Sequence, residues 1–197
     1  LSNEITQKWI TAKMDKNLTT ERNVSLDAEM RTYLSSIALN HSSISSIALF
    51  NDNGTAVGIR DQVFRDPSFL QAPWYKTFKE QGIRWVPAHE DPYQPSYLVS
   101  ESMNSLLFNL VQLSSFRKMG VLKVNMLTKT VQDPLDKIKF GEQGRVYLVD
   151  RDGNPVLNQK IGPGMAYFRA ELAGIRKDRR TGGKLTSTAG GQEQHLI

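Results

Sequence analysis

Five aromatic side chains that carry a polar group lie between residues 74 and 97, and they form the strongest candidate for a binding site. They are Trp74, Tyr75, Trp85, Tyr93 and Tyr97. Tryptophan and tyrosine combine a flat apolar ring with a hydrogen-bond donor, a combination that suits the enclosure of a small ligand. The alternative is that these side chains only form part of a hydrophobic core.

A polar residue further along the chain is expected to point toward the same cluster. In the segment 120–126, alternation along a strand divides the side chains into two faces. One face carries Leu122, Val124 and Met126, and the other carries Val121, Lys123 and Asn125. If the apolar face packs against N-terminal helices, Asn125 points toward the aromatic cluster. Its amide would then bind either a ligand or a neighbouring loop.

The sequence offers no catalytic or metal-binding arrangement. It has no cysteine, which excludes disulfides, zinc–thiolate sites and thiol nucleophiles. The three histidines, His41, His89 and His195, are far apart and do not have the spacing of metal ligands. Glycine-rich phosphate loops and nucleophile-elbow motifs are also absent from the sequence. We therefore expect neither enzymatic activity nor a cofactor in this chain.

Composition indicates a globular domain. Of the 197 residues, 39% are hydrophobic and 23% are charged. No apolar run approaches the ~20 residues of a membrane helix, so the segment itself is expected to be soluble. The net charge is +5, and the basic residues are dispersed except for one cluster. This basic cluster is either a solvated face or a surface for phosphate, lipid headgroups or an anionic polymer. That cluster contains Arg176, Lys177, Arg179, Arg180 and Lys184.

The elements that must position the aromatic cluster can be predicted from periodicity and turn residues. Residues 1–40 have helical spacing, with a break near 18–25 and Thr20 or Ser25 as the N-cap. The pattern at 46–59 predicts a β-hairpin, because Asn53-Gly54 supplies the positive φ values of hairpin turns. Pro73 and Gly82 mark the start and the end of a short helix.

The following segments alternate between strand and turn signals. Strand-like runs cover 97–103, 106–114 and 120–126, and 128–138 is compatible with a helix. The first hairpin pattern, 47–54, recurs at 146–153. The recurrence indicates two related α+β modules in tandem, the alternative being a chance similarity between two hairpins that need the same turn residues. Strand patterns at 184–188 and from 195 onward close the chain, so we expect the second module to be incomplete.

Taken in order, these segments resemble the double Cache sensor domain, the extracytoplasmic part of bacterial transmembrane receptors, most closely that of sensor histidine kinases. The resemblance rests on four stretches: Ala72-Pro-Trp-Tyr75, Gly82-Ile-Arg-Trp85, 120–126 and 144–153. It implies an α+β fold in which a long N-terminal helix backs two PAS-like modules with antiparallel sheets. The arm would be 1–40, the membrane-distal module 41–127, and the linker with a truncated membrane-proximal module 128–197.

The resemblance also implies a function. The chain would be the extracellular ligand-sensing domain of a two-component receptor, anchored by flanking membrane helices and homodimeric in the full receptor. The family's Trp–Tyr pair matches Trp74 and Tyr75, whereas its arginine falls on Ala72 and its aspartate on Asn125. The residue that would clamp the carboxylate of an amino acid and the residue that would pair with its ammonium are therefore both missing. The resemblance thus does not single out a free α-amino acid, and a neutral or otherwise different small molecule, a peptide or a sugar fits as well.

Other functions are compatible with the same residues. The output could be that of a chemotaxis receptor or a cyclic-dinucleotide enzyme. The chain could instead be an interaction module whose basic surface binds a cell-wall polymer, lipid headgroups or an accessory protein. No nucleic-acid-binding motif is present, so we expect no nucleic-acid partner.

Overall fold

The protein is described here from a computed structural model, which divides into two compact units, Leu1–Lys139 and Phe140–Ile197. The structure describes residues 4–59, 63–64, 67–82, 84–98, 100–138, 146–149, 155–157, 185–187 and 194–196.

Two helices form the N-terminal arm: α1, Glu4–Ala12, and α2, Thr20–Leu39. The predicted break is confirmed, but it covers residues 13–19 and not 18–25. The cap is Thr19, whose Oγ1 accepts a hydrogen bond from the Arg22 N–H at 3.3 Å. Because this cap satisfies a free N–H of the first turn, α2 begins before the positions predicted from the polar segment.

The first unit contains one antiparallel sheet with the strand order β3-β2-β1-β6-β5-β4. Its strands are β1, Ser46–Asn51, β2, Ala56–Gly58, β3, Val63–Phe64, β4, Trp85–Glu90, β5, Ser102–Gln112, and β6, Arg117–Leu127. Helix α3, Pro73–Gln81, lies between β3 and β4 in the chain, and α4, Thr128–Asp136, follows β6. The predicted α+β class is confirmed for this unit.

The first hairpin and α3 form as their turn residues predict, with one difference. In the β1–β2 turn only Gly54 has a positive φ, 88°, whereas Asn53 does not. Gly82 ends α3 with a φ of 69°. Close strand pairing requires another glycine, Gly120, because an added Cβ would lie 2.0 Å from the Phe50 carbonyl oxygen.

The predicted strand over 97–103 is wrong. Ser96–Leu98 is a turn of 3₁₀ helix, and β5 begins only at Ser102. Leu98 N–H donates to the Pro95 carbonyl at 2.8 Å, and the Gln94 side-chain amide donates to the Leu98 carbonyl. These local hydrogen bonds hold the segment in a turn, so its apolar residues do not extend the sheet.

The sheet separates two hydrophobic clusters. On one face, α1 and α2 pack through Trp9, Ile10, Leu26, Met30 and Leu34 against residues of β1, β2, β5 and β6. The opposite face packs against α3 and the preceding turn through Ala48, Phe50, Ala56, Phe69, Tyr75, Phe78, Leu107 and Val121. The prediction that a helical arm backs the sheet is therefore confirmed.

The second unit is described only in short pieces. Strands β7, Leu185–Ser187, and β8, Gln194–Leu196, pair antiparallel, in agreement with the strands predicted there. Val149 and Pro155 form an antiparallel bridge within the repeated hairpin pattern. The basic cluster at 176–184 lies outside the described residues. The predicted module boundary at 127/128 stays a prediction, and α4 belongs to the first unit.

Candidate ligand-binding site

Strand β6 brings two polar side chains to the sheet face that lies away from α1 and α2. Leu122 packs in the cluster of the N-terminal helices, whereas Val121 packs in the opposite cluster. Lys123 and Asn125 share the side of Val121, because side chains alternate along a strand. Their cross-strand neighbours on β5 are Leu107 and Ser105. The face expected for Asn125 is thus the observed one.

Asn125 is 3% exposed, and its amide is fully used within the protein. Its Nδ2 donates to Ser46 Oγ at 2.9 Å and to Asp91 Oδ2 at 2.5 Å. Its Oδ1 accepts from Ser105 Oγ at 2.6 Å. Of the two roles left open for this amide, the structure shows the contact with a neighbouring loop. Asn125 therefore positions Asp91.

Asp91 and Lys123 form a buried ion pair beside Asn125. Lys123 Nζ lies 2.8 Å from Asp91 Oδ2, and the side chains are 2% and 1% exposed. Asp91 Oδ1 also accepts from the Tyr93 N–H at 3.1 Å. On its other side the ammonium lies 4.4 Å from the ring centroid of Trp74, a cation–π distance.

Burial shapes the titration of two groups here. Desolvation lowers the pKa of Lys123, against the opposing charge and hydrogen bond of Asp91. Desolvation also lowers the pKa of His89, whose Nε2 lies 3.3 Å from Ser105 Oγ. Burial thus disfavours the charged form of both side chains, and Asp91 opposes this effect at Lys123.

Aromatic rings line the same face in edge-to-face contacts. Trp74 lies 5.1 Å from Phe50 and 6.4 Å from Tyr93, measured between ring centroids. Phe69 contacts Phe50 at 4.9 Å and Tyr93 at 6.4 Å. The structure therefore brings Trp74 and Tyr93 together as predicted and adds two phenylalanines.

Tyr75 belongs to the aromatic cluster, but its hydroxyl points to a charged pair in the β1–β2 turn. It donates to Asp52 Oδ1 at 2.5 Å, and Lys79 forms an ion pair with Asp52 at 2.7 Å. Desolvation, together with the hydrogen bond to Asp52, raises the pKa of Tyr75 well above its usual value. The hydroxyl thus has a partner within the protein.

Two of the predicted site residues lie elsewhere. Trp85 is the first residue of β4 and pairs with Leu106, which pairs with Val124. Val124 packs against the cluster of α1 and α2, so this row of side chains faces the N-terminal helices. Tyr97 lies in the 3₁₀ turn and is 55% exposed.

Three buried polar atoms of this region have no hydrogen-bond partner among the described residues. They are Trp74 Nε1, Gln94 Oε1 and Lys123 Nζ, the last of which has only its ion-pair contact with Asp91. Two of the three are donors. Buried polar groups are nearly always satisfied by the protein or by ordered water, so these atoms are open to a water molecule or a ligand. Trp85 Nε1 and Asn51 Nδ2 also have no hydrogen-bond partner among the described residues.

Sequence reasoning did not select several of the groups that build the site: Asp91, Lys123, Phe50 and Phe69. Lys123 could have been found, because it shares the predicted strand face of Asn125. A lysine on a strand face that should be buried signals a partner of opposite charge. Asp91 lies in a loop, where no periodicity shows which way a side chain points.

In the described part of the chain, no group of three or more histidine, aspartate or glutamate side chains could hold a metal ion. In the same part, none of the helices has the length and apolar character needed to cross a membrane.

No family model matches this chain, and neither does any curated protein at a significant level. Solved structures do match it. The sensory domain of the Campylobacter jejuni chemoreceptor Tlp3 with isoleucine bound is 15% identical, with a TM-score of 0.54 over 97% of this chain and 76% of that one.

Two Pseudomonas chemoreceptors give similar results. The ligand-binding domain of P. fluorescens CtaA in complex with L-isoleucine is 16% identical, with a TM-score of 0.53 over 97% of this chain and 71% of that one. That of P. aeruginosa PctB with L-Arg is 19% identical, with a TM-score of 0.50 over 79% and 60% of the respective chains. The chain therefore has an α+β fold similar to that of chemoreceptor ligand-binding domains, which confirms the Cache resemblance at the level of the fold for the helices and the antiparallel sheet; the second module stays a prediction.

Proposed function

We propose that this chain is the ligand-sensing domain of a transmembrane receptor and faces the outside of the cell membrane. It binds a small molecule on the sheet face away from α1 and α2. The observation that carries the proposal is the buried aromatic face on which Trp74 Nε1 has no hydrogen-bond partner among the described residues and Lys123 Nζ contacts only one acceptor there, Asp91. The fold supports it, because similar domains sense amino acids in chemoreceptors.

The sheet offers a physical route from ligand to output. β6 carries Lys123 on the ligand face and Leu122 on the face packed against the N-terminal helices. A ligand that draws β6 and the loop carrying Asp91 together would favour one packing of α1 and α2. It shifts that equilibrium only by its difference in affinity for the two states.

The output of the receptor is either a histidine kinase or a chemotaxis response. The sequence resemblance implies a sensor histidine kinase, whereas the matched structures are domains of chemoreceptors. In either case the second unit would be a truncated membrane-proximal module, and the full receptor would be a homodimer.

A thermal-shift screen of this chain tests the proposal. The panel contains amino acids, organic acids, sugars, nucleosides, short peptides and cell-wall fragments. A ligand at 100 times its Kd stabilises the folded state by about 2.7 kcal/mol, or about 5–10 °C in Tm for a chain of this size.

The matched variants are Trp74→Ala and Trp85→Ala, which remove the same side chain from opposite faces of the sheet. We expect Trp74→Ala to abolish the shift and Trp85→Ala to retain it. A flat screen with a folded protein would contradict small-molecule sensing and favour an interaction module that binds a polymer or a protein.

A further inference from the structure

The cation-binding position of the proposed site is filled by the protein itself. The Lys123 ammonium lies between the Asp91 carboxylate, at 2.8 Å, and the face of Trp74, at 4.4 Å. A carboxylate opposite an aromatic face is the arrangement with which proteins bind the ammonium group of a ligand. Here the chain's own lysine occupies it.

Each oxygen of the Asp91 carboxylate beside this ammonium already has at least one donor. Asp91 Oδ2 contacts both Lys123 Nζ and Asn125 Nδ2, and Asp91 Oδ1 accepts from the Tyr93 N–H. A ligand ammonium beside Asp91 would share that carboxylate with Lys123, so two buried positive charges would face one negative charge at close range. The site therefore disfavours ligands that carry an amino group.

The groups that remain available are mainly donors. Trp74 Nε1 is buried without an acceptor among the described residues, and the one acceptor that Lys123 Nζ contacts there is Asp91 Oδ2. The one open acceptor of the loop, Gln94 Oε1, is a neutral amide oxygen. An ammonium has three N–H groups, so Lys123 can hold a second carboxylate while it stays paired with Asp91. Asn125 and Tyr93 also donate to Asp91, which spreads its negative charge over several hydrogen bonds.

From this balance of donors and acceptors, we propose that the ligand is a small organic carboxylate without an amino group. Its carboxylate oxygens accept hydrogen bonds from Lys123 Nζ and Trp74 Nε1. The rings of Phe50 and Tyr93, which both contact Trp74, provide an apolar surface for the rest of the molecule. This inference rests on the proposed function and narrows it to one class of ligand.

Matched pairs of compounds that differ only in the amino group test the inference. They are 3-methylbutanoate with valine, 4-methylpentanoate with leucine, and propanoate with alanine. 3-Methylbutanamide and isobutylamine replace the carboxylate by a neutral amide and by an amine. We expect at least one acid to raise Tm by about 5–10 °C at 100 times its Kd. Its amino acid, amide and amine counterparts should give no shift.

The variants link the shift to the proposed residues. Lys123→Met alone leaves Asp91 buried and unpaired, so the double variant Asp91→Asn/Lys123→Met is used to keep the region neutral and folded. We expect the double variant to lose the response to the acid. Lys8→Met removes a lysine whose ion pair with Glu29 is 39% exposed, and it should leave the response unchanged.

Each outcome separates this inference from the proposed function. A shift with the amino acids and not with the acids would overturn the inference while supporting small-molecule sensing. An equal shift with the neutral amide, or an acid response that persists in the double variant, would also overturn it, because Lys123 would not be the recognising group. A flat screen across the whole panel would contradict both proposals.

Discussion

Asp91 and Lys123 form an ion pair 2.8 Å long in which both side chains are at least 98% buried, although Asp91 follows β4 and Lys123 lies on β6. The pair connects the loop after β4 to the middle of the sheet. Because Asn125 bonds the same carboxylate oxygen, the loop is held to β6 at two positions. This connection is the structural basis of the candidate site and of the first prediction.

Removing one partner of the pair is expected to be far more costly than removing both. Lys123→Met should reduce the free energy of unfolding by about 3–5 kcal/mol, because it leaves a buried carboxylate without its counter-ion. The double variant Asp91→Asn/Lys123→Met should recover most of that loss. Urea denaturation of the wild type, both single variants and the double variant measures the coupling energy.

A loss of less than about 1 kcal/mol for Lys123→Met would show that the pair is open to water in solution. The same result would contradict the proposed ligand class, because that class depends on an Asp91–Lys123 pair that is buried away from water.

Tyr75 is expected to stabilise the fold and not to bind the ligand. Tyr75→Phe removes the hydrogen bond to Asp52 and should reduce the free energy of unfolding by about 1–2 kcal/mol. The Tm shift produced by a ligand should stay unchanged, since the hydroxyl points to the β1–β2 turn. Thermal-shift titration of this variant beside Tyr93→Phe provides the comparison; loss of the ligand response in Tyr75→Phe would place its hydroxyl in the binding site.

One buried and one exposed ion pair join the two N-terminal helices. We expect the buried pair to contribute far more to the free energy of unfolding than the exposed pair. Trp9 Nε1 donates to Asp27 Oδ1 at 2.8 Å, and Lys13 lies 2.6 Å from the same atom with 4% of its side chain exposed. Asp27→Ala should therefore reduce the free energy of unfolding by about 3–5 kcal/mol, because it leaves the buried Lys13 ammonium without its counter-ion.

Glu29→Ala is the matched control on the same helix. The side chains of Glu29 and Lys8 are each 39% exposed in their ion pair. Glu29→Ala should therefore reduce the free energy of unfolding by less than about 1 kcal/mol. Chemical denaturation of the two variants gives the comparison. Equal losses would mean that Asp27 is as well solvated as Glu29 in the folded protein.

Burial of His89 is expected to make the protein less stable in mildly acidic solution. Its pKa is lowered by desolvation in the folded state, so below about pH 6.5 the unfolded chain takes up a proton that the folded chain resists. The free energy of unfolding should be constant with respect to this group above pH 6.5 and fall as the pH drops below it. Urea denaturation between pH 8 and pH 5 measures this slope.

His89→Gln is the control for that titration, because a neutral amide keeps polar contacts without a charge change in this range. The variant should show a shallower slope between pH 6.5 and pH 5. An identical slope in both proteins would assign the acid sensitivity to other groups.

Local signals were sufficient for most of the elements. The helical spacing of 1–40, the Asn-Gly turn at 53–54, and Pro73 with Gly82 around α3 each act within a few residues. Short-range hydrogen bonds and sterics fix such elements, so the sequence predicts them. The segment 97–103 was assigned wrongly because its turn depends on the Gln94 side chain and on Pro95, which strand periodicity does not include.

The candidate site divides along the same line. Alternation along β6 is a property of the strand alone, so the sequence by itself determined that Lys123 and Asn125 share a face and that Leu122 takes the other. It also determined that Trp74 belongs to a short helix that begins at Pro73. Only the tertiary structure decided which of these groups are satisfied. Asp91 reaches Lys123 and Asn125 from a loop, and register places Trp85 on the opposite face. Pairing between distant segments depends on how the whole chain packs, and no local pattern encodes it.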